Sequence, residues 1–436
     1  ETPMALDLAL TSIDIPSYVA LDDAFDVTGV VTNQGLDEIT SYDVSYTIDG
    51  GTPFTTSVTG VSLAIGDSDP FVCVDPVSFS MEGSYMFDVM ISNINGGDDD
   101  NGDNNELSSM VSVVPFLPAK KVLGEEATGT WCGWCTRGTC FMDYMSDTYP
   151  DTWIGVAVHN GDPMVDTPYD AAIPSIIPNF PGYPSGTVDR SGDNYYDPSE
   201  FEAAYTERMT AVSPATCEIT NFSFNYDTRE VMFDVESEFV ADVSKELRFM
   251  AILLEDSCSG TSSDWGQANY YSGGGQGDMC GYEDMPNPIP AAMMKYDHVA
   301  RKVLDTPFGT DGSLPGTIMA GETHSYTYSY VLPEEWNYHW MHFVGVLLDA
   351  ETGEVLNCNS YPEEVTAVEE LGLTTNINIY PNPTKGIVSL SGVDNSTIMV
   401  YNIAGNLVAS FEDFNSTTID LSAYNSGIYL FWIKTD

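Results

Sequence analysis

Basic residues are scarce in this sequence. The 436-residue chain has 13 lysines and arginines against 66 aspartates and glutamates, and its formal net charge is −53. The first basic side chain is Lys120, so everything before it is uniformly acidic or neutral. A surface of this sign repels phosphate backbones and anionic lipid headgroups. We therefore exclude nucleic acid and anionic membranes as partners.

Long apolar runs are also missing. No stretch approaches the roughly 18 apolar residues that a membrane-spanning helix requires, so we expect no membrane span. The sequence begins at Glu1 without the basic and apolar segments of a secretory signal. If the protein is exported, we expect that signal to have been removed. Hydrophobic residues nevertheless make up 43% of the chain, enough for packed cores in several domains.

Zinc-type ligand pairs are absent from the sequence as well. Of the eight cysteines, only Cys132 and Cys135 have C-x-x-C spacing, and no H-x-x-x-H occurs. A structural zinc site needs four such ligands, and Cys140 and His159 would complete one only by an accident of folding. The C-x-x-C is therefore better interpreted as a redox pair or a structural disulfide.

The sequence T-W-C-G-W-C at residues 130–135 is the one place where residue types and spacing specify a reaction. An extended apolar stretch precedes it and a helical pattern follows at 139–145, a context typical of a redox pair. The positive end of a helix dipole lowers the pKa of the first thiol. We predict Cys132 as the attacking thiolate, Cys135 as the resolving thiol, and Glu126 as the carboxylate that accepts the proton of Cys135.

Further along, G-Y-P-S-G-T-V-D-R at residues 182–190 indicates a tight turn into a short strand. Together with the C-x-x-C, this segment resembles the thioredoxin superfamily. The resemblance implies that Pro184 is the cis-proline that opens the strand facing the redox pair and holds the backbone of a substrate. The alternative is a permanently oxidised C-x-x-C in a fold that is kept as a binding scaffold.

A narrower resemblance is to the Omp-type thioredoxin-like surface proteins of Bacteroidota. It rests on the order of Glu126, Cys132, Cys135, H-N-G-D-P at 159–163 and Tyr183-Pro184. It implies a thioredoxin-like domain over 116–213 followed by a β-sandwich domain over 214–366, where strand-length runs occur. His159 is placed to line the cleft, although a lone histidine at a strand end is more often only hydrogen-bonded.

Residues 1–115 contain short alternating strands separated by turns, which predicts an antiparallel β-sandwich. This part resembles the bacterial immunoglobulin-like modules of cell-adhesion and surface proteins. Its loop N-I-N-G-G-D-D-D-N-G-D-N-N-E at 93–106 is rich in the hard oxygen ligands that Ca²⁺ prefers. Asp98, Asp100 and Asp103 are the predicted Ca²⁺ ligands. The spacing is not that of an EF-hand, and a solvated acidic turn is the alternative.

The other cysteines predict structural disulfides. Cys258 and Cys280 bracket a glycine-rich loop at 272–277, and a bridge there would remove roughly 3 kcal/mol of loop entropy from the unfolded state. Cys217 and Cys358 lie at the two ends of the predicted 214–366 domain and form a second candidate pair, which leaves Cys73 and Cys140 unassigned. This cysteine content favours an oxidising, extracytoplasmic compartment.

Four aromatic residues accompany the glycine-rich loop: Trp265, Tyr270, Tyr271 and Tyr282. If exposed, they would form a stacking or peptide-binding surface. Ordinary packing of the loop explains them equally well.

Residues 371–436 follow an acidic linker at 363–371 and contain three short motifs. These are I-Y-P-N-P-T-K-G at 379–386, I-M-V-Y-N-I-A-G at 398–405 and S-G-I-Y-L at 426–430. In this order they resemble the C-terminal sorting domain of cargo of the type IX secretion system. The resemblance implies a small β-sandwich that the secretion machinery reads as a transport address.

These features together predict a secreted or cell-surface, multidomain, mainly β protein with one α/β domain. The predicted function is thiol-disulfide exchange with extracytoplasmic proteins. The alternative is a structural or adhesive surface protein, such as a self-assembling filament subunit, that uses the thioredoxin-like fold as a scaffold. No redox cofactor is expected, and Ca²⁺ is the one predicted ion.

Overall fold

The computed structural model describes residues 4–362 and nine C-terminal stretches: 378–380, 384, 386–391, 393, 396–402, 407–414, 417–422, 424 and 427–434. The predicted acidic linker at 363–371 lies outside the described residues. So do parts of the three C-terminal motifs, at 381–383, 385, 403–405 and 426. The chain divides into two compact units, Glu1–Thr366 and Ala367–Asp436.

The N-terminal part is a β-sandwich, as predicted. Its strands are β1 (Leu8–Asp14), β2 (Tyr18–Ala20), β3 (Ala24–Phe25), β4 (Thr28–Asn33), β5 (Ile39–Ile48), β6 (Phe54–Leu63), β7 (Ser68–Val72), β8 (Val77–Ser78), β9 (Gly83–Ser92) and β10 (Glu106–Val114). They form a β1-β4-β7 sheet, a β2-β10-β9-β5-β6 sheet and a short β3-β8 pair. Alternate residues of a strand point into the core. In β9, for example, Phe87, Val89 and Ile91 are buried and Met86 and Met90 are exposed.

A seven-stranded sheet organises the middle of the chain, with the order β13-β11-β12-β17-β16-β19-β20. The strands of this region are β11 (Val122–Thr128), β12 (Trp153–His159), β13 (Ser185–Val188), β14 (Glu218–Asn225), β15 (Glu230–Glu238), β16 (Leu247–Glu255), β17 (Val299–Leu304), β18 (Thr323–Val331), β19 (Met341–Asp349) and β20 (Val355–Tyr361). β11 runs parallel to β12 and antiparallel to β13. Every residue of β11 and β12 is buried, as expected for strands covered on both faces.

Three helices cover this sheet: α1 (Thr136–Thr148), α2 (Thr167–Ile176) and α3 (Phe201–Arg208). α1 and α3 share a core in which Met142 and Met145 pack with Trp153 and Phe201. α2 lies against the opposite face, where Tyr169 is buried in a second core. The chain order is thus strand, helix, strand, helix, strand, helix from β11 to α3, with the C-x-x-C between β11 and α1.

The same sheet continues across the predicted boundary between 213 and 214. β17 joins β12 in parallel at Ala157 and Val299, and the Ala157 N–H donates to the His298 carbonyl at 2.7 Å. β14, β15 and β18 form a separate three-stranded sheet that packs on the β16 and β19 side chains. The expected β-sandwich over 214–366 therefore shares one of its sheets with the preceding region. The sign of this shared sheet in the sequence was the apolar run of β16, which is buried on both faces.

Several of the scarce basic residues lie in buried ion pairs beneath this sheet. Arg190 contacts Glu125 at 2.7 Å, and the Tyr169 hydroxyl donates to the same carboxylate at 2.6 Å. Asp189 accepts from both Lys120 at 2.7 Å and Arg208 at 3.0 Å. Because each of these three cations has a carboxylate partner, its burial at this sheet does not leave a charge unpaired.

The C-terminal unit contains β21 (Asn378–Tyr380), β22 (Ile387–Ser391), β23 (Ser396–Asn402), β24 (Leu407–Phe414), β25 (Thr418–Asp420) and β26 (Tyr429–Lys434). They form two three-stranded sheets, β21-β22-β25 and β24-β23-β26. Val388 and Leu390 of one sheet share a core with Ile398 and Val400 of the other. This arrangement agrees with the predicted small β-sandwich.

Candidate redox site

The C-x-x-C forms the turn that leads from β11 into α1. The Cys132 N–H donates to the Gly129 carbonyl at 3.1 Å, and the Cys135 N–H donates to the Cys132 carbonyl at 3.3 Å. Cys135 is the N-cap residue of α1, and its carbonyl accepts the Thr139 N–H at 3.2 Å. The helix therefore begins directly after the second cysteine and continues through the predicted 139–145 segment.

Cys132 and Cys135 lie at disulfide distance, with their Cα atoms 5.4 Å apart. Cys132 is only 4% exposed and Cys135 only 1%. A reactive thiolate normally lies in a partly exposed, electropositive environment. The buried position of Cys132 is therefore the feature of this site that most needs an explanation.

Glu126 lies on β11 directly behind the first turn of α1. Its carboxylate occupies the space beside Gly138, where a Cβ atom would overlap the Glu126 oxygens. The side chain is fully buried, and within the described structure its Oε1 has no hydrogen-bond partner. Burial raises the pKa of Glu126 well above its ordinary value, and the nearby charge of Asp143 adds to the effect. Burial therefore favours the protonated form of this carboxyl group.

His159 and Asp162 form a buried pair at the end of β12, the strand that pairs with β11. The His159 Nδ1 lies 2.6 Å from Asp162 Oδ2, and the same oxygen accepts the Thr130 N–H at 2.9 Å. Burial alone would raise the pKa of Asp162, but the His159 contact and two backbone N–H groups lower it. Glu126 and His159 both line a small cavity under α1. His159 is thus hydrogen-bonded, and it also faces the predicted proton acceptor.

Pro184 lies beside the C-x-x-C turn. The Tyr183–Pro184 peptide bond is cis, the form that the resemblance implies. Ser185 pairs with Ala127 of β11, and the ring of Tyr183 meets that of Trp131 edge-on at 5.3 Å. The structure therefore brings Pro184 to the same end of β11 as the two cysteines.

A segment that the sequence did not assign to the site lies across the C-x-x-C turn. The Ala268 N–H donates to the Thr130 carbonyl and the Tyr270 N–H to the Gly133 carbonyl, each at 2.8 Å. Gln267 Nε2 donates to the Cys132 carbonyl, also at 2.8 Å. We call residues 264–271 the strap. Its only signal in the sequence was the cluster of aromatic residues. Tyr270 and Tyr271 contact Trp134, although Tyr270 is 53% exposed, and Trp265 and Tyr282 pack against a neighbouring core.

The predicted Cys258–Cys280 disulfide of the glycine-rich region is wrong. Cys280 lies at disulfide distance from Cys140 of α1, with a Cα–Cα separation of 5.8 Å, and Cys258 is a buried thiol. Cys258 and Tyr296 exchange backbone hydrogen bonds of 2.9 and 3.0 Å, which fix Cys258 at the base of the loop. The rest of the loop extends to α1, where Cys280 lies beside Cys140.

The predicted Cys217–Cys358 pair is not formed either. Both are buried thiols that belong to different cores, Cys217 to the one beside β15 and Cys358 to the one beside α2. Alternate residues of β16 point into these two cores, so they lie on opposite faces of the sheet. Burial raises the pKa of both thiols.

The predicted calcium ligands Asp98, Asp100 and Asp103 are exposed on one loop. Asp100 Oδ2 accepts the Leu6 N–H at 3.0 Å, and the neighbouring Asp99 accepts the Leu8 N–H at 3.1 Å. In the part of the chain that the structure describes, no three His, Cys, Asp or Glu side chains are grouped so that they could hold a metal ion. Calcium binding here stays a prediction.

Comparison with known proteins identifies the C-terminal unit. Residues 378–436 match the model of the secretion system C-terminal sorting domain. The chain thus ends in a type IX sorting domain. This domain directs export, so the protein is extracellular or attached to the outer cell surface, and the secretion machinery is a partner. Among the described helices, none is long and apolar enough to cross a membrane.

Solved structures resemble other parts of the chain. The CARDB domain of the PF1109 protein from Pyrococcus furiosus, solved in complex with di-metal ions, is 23% identical and covers 26% of this chain and 94% of its own, with a TM-score of 0.22. A protein from Agrobacterium tumefaciens is 12% identical and covers 58% of this chain and 99% of its own, with a TM-score of 0.34. The search of curated proteins returns no match.

Proposed function

We propose that this exported protein is a thiol-disulfide oxidoreductase whose C-x-x-C belongs to a thioredoxin-like domain of the Omp type. The strand order β13-β11-β12, the C-x-x-C at the start of α1 and the cis-proline before β13 support that assignment. The substrates are cysteines of other extracytoplasmic proteins.

The observation that carries the proposal is the buried carboxyl group of Glu126 behind the C-x-x-C helix. A buried polar group without a full set of hydrogen bonds costs stability. A purely structural disulfide does not need a buried carboxyl group beside it. A redox pair needs such a group, because the resolving thiol must lose or gain a proton each time the disulfide forms or breaks.

The exchange proceeds in two displacements. A substrate thiolate attacks the Cys132 sulfur, the bond between Cys132 and Cys135 breaks, and Cys135 leaves as a thiolate that takes the proton of Glu126. A second substrate thiolate then attacks the substrate sulfur of the mixed disulfide, and Cys132 leaves as a thiolate stabilised by the α1 dipole. The substrate is oxidised to a disulfide and the C-x-x-C is reduced by the same two electrons. The reverse sequence reduces a substrate disulfide.

The first experiment is a redox titration of the C-x-x-C in glutathione buffers, with alkylation and peptide mapping by mass spectrometry. A midpoint between roughly −150 and −270 mV, the range of exchange catalysts, is expected. A pair that stays oxidised below about −300 mV would overturn the proposal, because structural disulfides titrate there. The Cys132→Ser variant gives the control signal, and peptide mapping separates the Cys140–Cys280 pair from the C-x-x-C.

A second candidate function is a structural or adhesive surface protein, which includes a subunit of a self-assembling filament. The burial of Cys132 favours it, since an inert disulfide can be covered without loss. In that case the Cys132→Ser, Cys135→Ser double variant would keep its surface interactions and lose only stability. Substrate exchange and surface binding of this variant, measured side by side, separate the two functions.

A further inference from the structure

We propose that the strap is an internal occupant of the substrate site and that the Cys140–Cys280 disulfide is the latch that holds it there. Reduction of the latch releases the strap and opens Cys132 to a substrate. This inference rests on the proposed function, because only a redox pair that exchanges with partners needs to be reached from outside.

The strap binds the C-x-x-C turn as an extended peptide would. Its backbone N–H groups at Ala268 and Tyr270 donate to the carbonyl groups of Thr130 and Gly133. The Thr130 hydroxyl returns a hydrogen bond to the Asp264 carbonyl at 3.0 Å. Main-chain hydrogen bonds of this kind recognise a partner's backbone without regard to its side chains. A substrate chain would use the same carbonyl groups, so the strap and a substrate compete.

Side chains close the site around the turn. Tyr270 packs so tightly on Gly133 that a Cβ atom there would lie 2.5 Å from its ring. Trp134 meets the rings of Tyr270 and Tyr271 edge-on, at 5.4 and 5.6 Å. Gln267 is itself buried, and its side-chain amide donates a hydrogen bond to the Cys132 carbonyl. These contacts account for a predicted nucleophile that is only 4% exposed.

The latch joins the strap's loop to the helix of the redox site. Cys140 lies on α1, and Cys280 follows the strap after a run that contains three glycines with positive φ, at 273, 274 and 277. Glycine adopts these conformations without a steric penalty, so this run would serve as the hinge when the latch opens. While the latch is closed, the strap stays at high effective concentration beside the turn. Once the latch opens, that advantage is lost.

The opening step is an ordinary exchange with an external dithiol. Its first thiolate attacks one sulfur of the Cys140–Cys280 bond and forms a mixed disulfide, and its second thiol displaces that sulfur. Two cysteine thiols form in the protein, and the dithiol becomes a disulfide. Two electrons and two protons are transferred, and no further reactant is needed.

The test measures how fast iodoacetamide alkylates Cys132 in two full-length variants. The first is Cys135→Ser, in which Cys132 is a free thiol and the latch is intact. The second adds Cys140→Ser and Cys280→Ser. Alkylation through a local opening follows the population of the open state, so we expect the second variant to react at least about tenfold faster. Equal rates in the two variants would overturn the proposal.

Two further variants keep the test decisive if the triple variant folds poorly. Gln267→Ala in the Cys135→Ser background loosens the strap with the latch in place, and we expect faster alkylation. Cys73→Ser in the same background removes a buried thiol of the N-terminal sandwich and should leave the rate unchanged. Hydrogen exchange of the Ala268 and Tyr270 amides should accelerate when the latch is reduced, while β12 stays protected. Unchanged exchange at both amides would also contradict the latch.

The alkylation rate does not depend on turnover. If the C-x-x-C titrates as an inert disulfide while alkylation still depends on the latch, the proposed function fails and the gating stands. If the titration succeeds and the latch has no effect, the gating alone fails.

Discussion

Glu126 and Gly138 are in direct contact: the carboxyl group of Glu126 fills the space that a side chain at position 138 would occupy. Glycine inside a helix costs roughly 1 kcal/mol relative to alanine, so its presence in the first turn of α1 needs a reason. That reason is the close approach of β11, which places the carboxyl group of Glu126 behind the C-x-x-C.

Glu126→Gln should slow thiol-disulfide exchange. The amide keeps the shape of the side chain but cannot transfer a proton to or from Cys135, and positioned acid–base groups contribute about 10²-fold or more. We expect a loss of roughly that size in the rate of mixed-disulfide resolution, measured by stopped flow with a model disulfide peptide. Glu82→Gln, at an exposed position of the N-terminal sandwich, is the control and should not change the rate. Full activity of Glu126→Gln would remove Glu126 from the mechanism.

The pH dependence of stability should report the same group. Because the pKa of Glu126 is raised in the folded state, the native protein binds its proton more tightly than the unfolded chain does. The stabilisation is complete below the unfolded pKa of about 4.3 and is lost as the pH rises through the folded pKa. Chemical denaturation from pH 4 upward should show this loss in the wild type and not in Glu126→Gln. Identical slopes in both proteins would mean that Glu126 is not protonated in the fold.

Gly138→Ala should disturb the site without touching the cysteines. The new methyl group would overlap the Glu126 carboxyl group, and overpacking of a buried site typically costs about 1–3 kcal/mol. We expect a fall of that order in the free energy of unfolding, measured by denaturant titration. Gly138→Ala combined with Glu126→Ala should recover part of the loss because the second change makes room. An additive loss in the double variant would contradict the contact.

The sequence predicts the local parts of this site well. The C-x-x-C, Glu126 and Pro184 lie within or beside elements whose patterns are continuous in the chain, so their placement follows from a strand, a turn and a helix. His159 was placed near the cleft for the same reason. The start of α1 is not marked in the sequence, because its N-cap residue, Cys135, is not one of the Ser, Thr, Asp or Asn residues that usually begin a helix.

The long-range parts could not be derived in this way. Cys140 and Cys280 are 140 residues apart, and eight cysteines allow 105 full pairings, so spacing alone favoured the nearer Cys258. The pairing of β12 with β17 likewise depends on which strands meet, whereas alternation and apolar runs reveal only that strands exist. The sequence did not indicate that the strap contacts the C-x-x-C turn, because the hydrogen bonds between them use backbone groups and one glutamine.

Arg190→Met should destabilise the protein strongly. The Arg190 guanidinium makes two contacts to Glu125, from Nε at 2.7 Å and from Nη2 at 2.8 Å, and both side chains are buried. Its removal leaves a buried carboxylate whose remaining partner is Tyr169, and breaking such a pair costs about 3–5 kcal/mol.

The matched control for this variant is Arg137→Met, whose partner Asp197 lies at 2.6 Å in a pair that solvent reaches, with 28% and 31% of the two side chains exposed. Exposed pairs contribute about 1 kcal/mol or less, so this control should stay close to the wild type in denaturant titration. Glu125→Leu together with Arg190→Met removes both charges and should recover much of the loss, because an apolar pair no longer leaves a charge unpaired. A cost for Arg190→Met as small as that of Arg137→Met would mean that water reaches Glu125, and the tight packing of α2 over β11 would then be wrong.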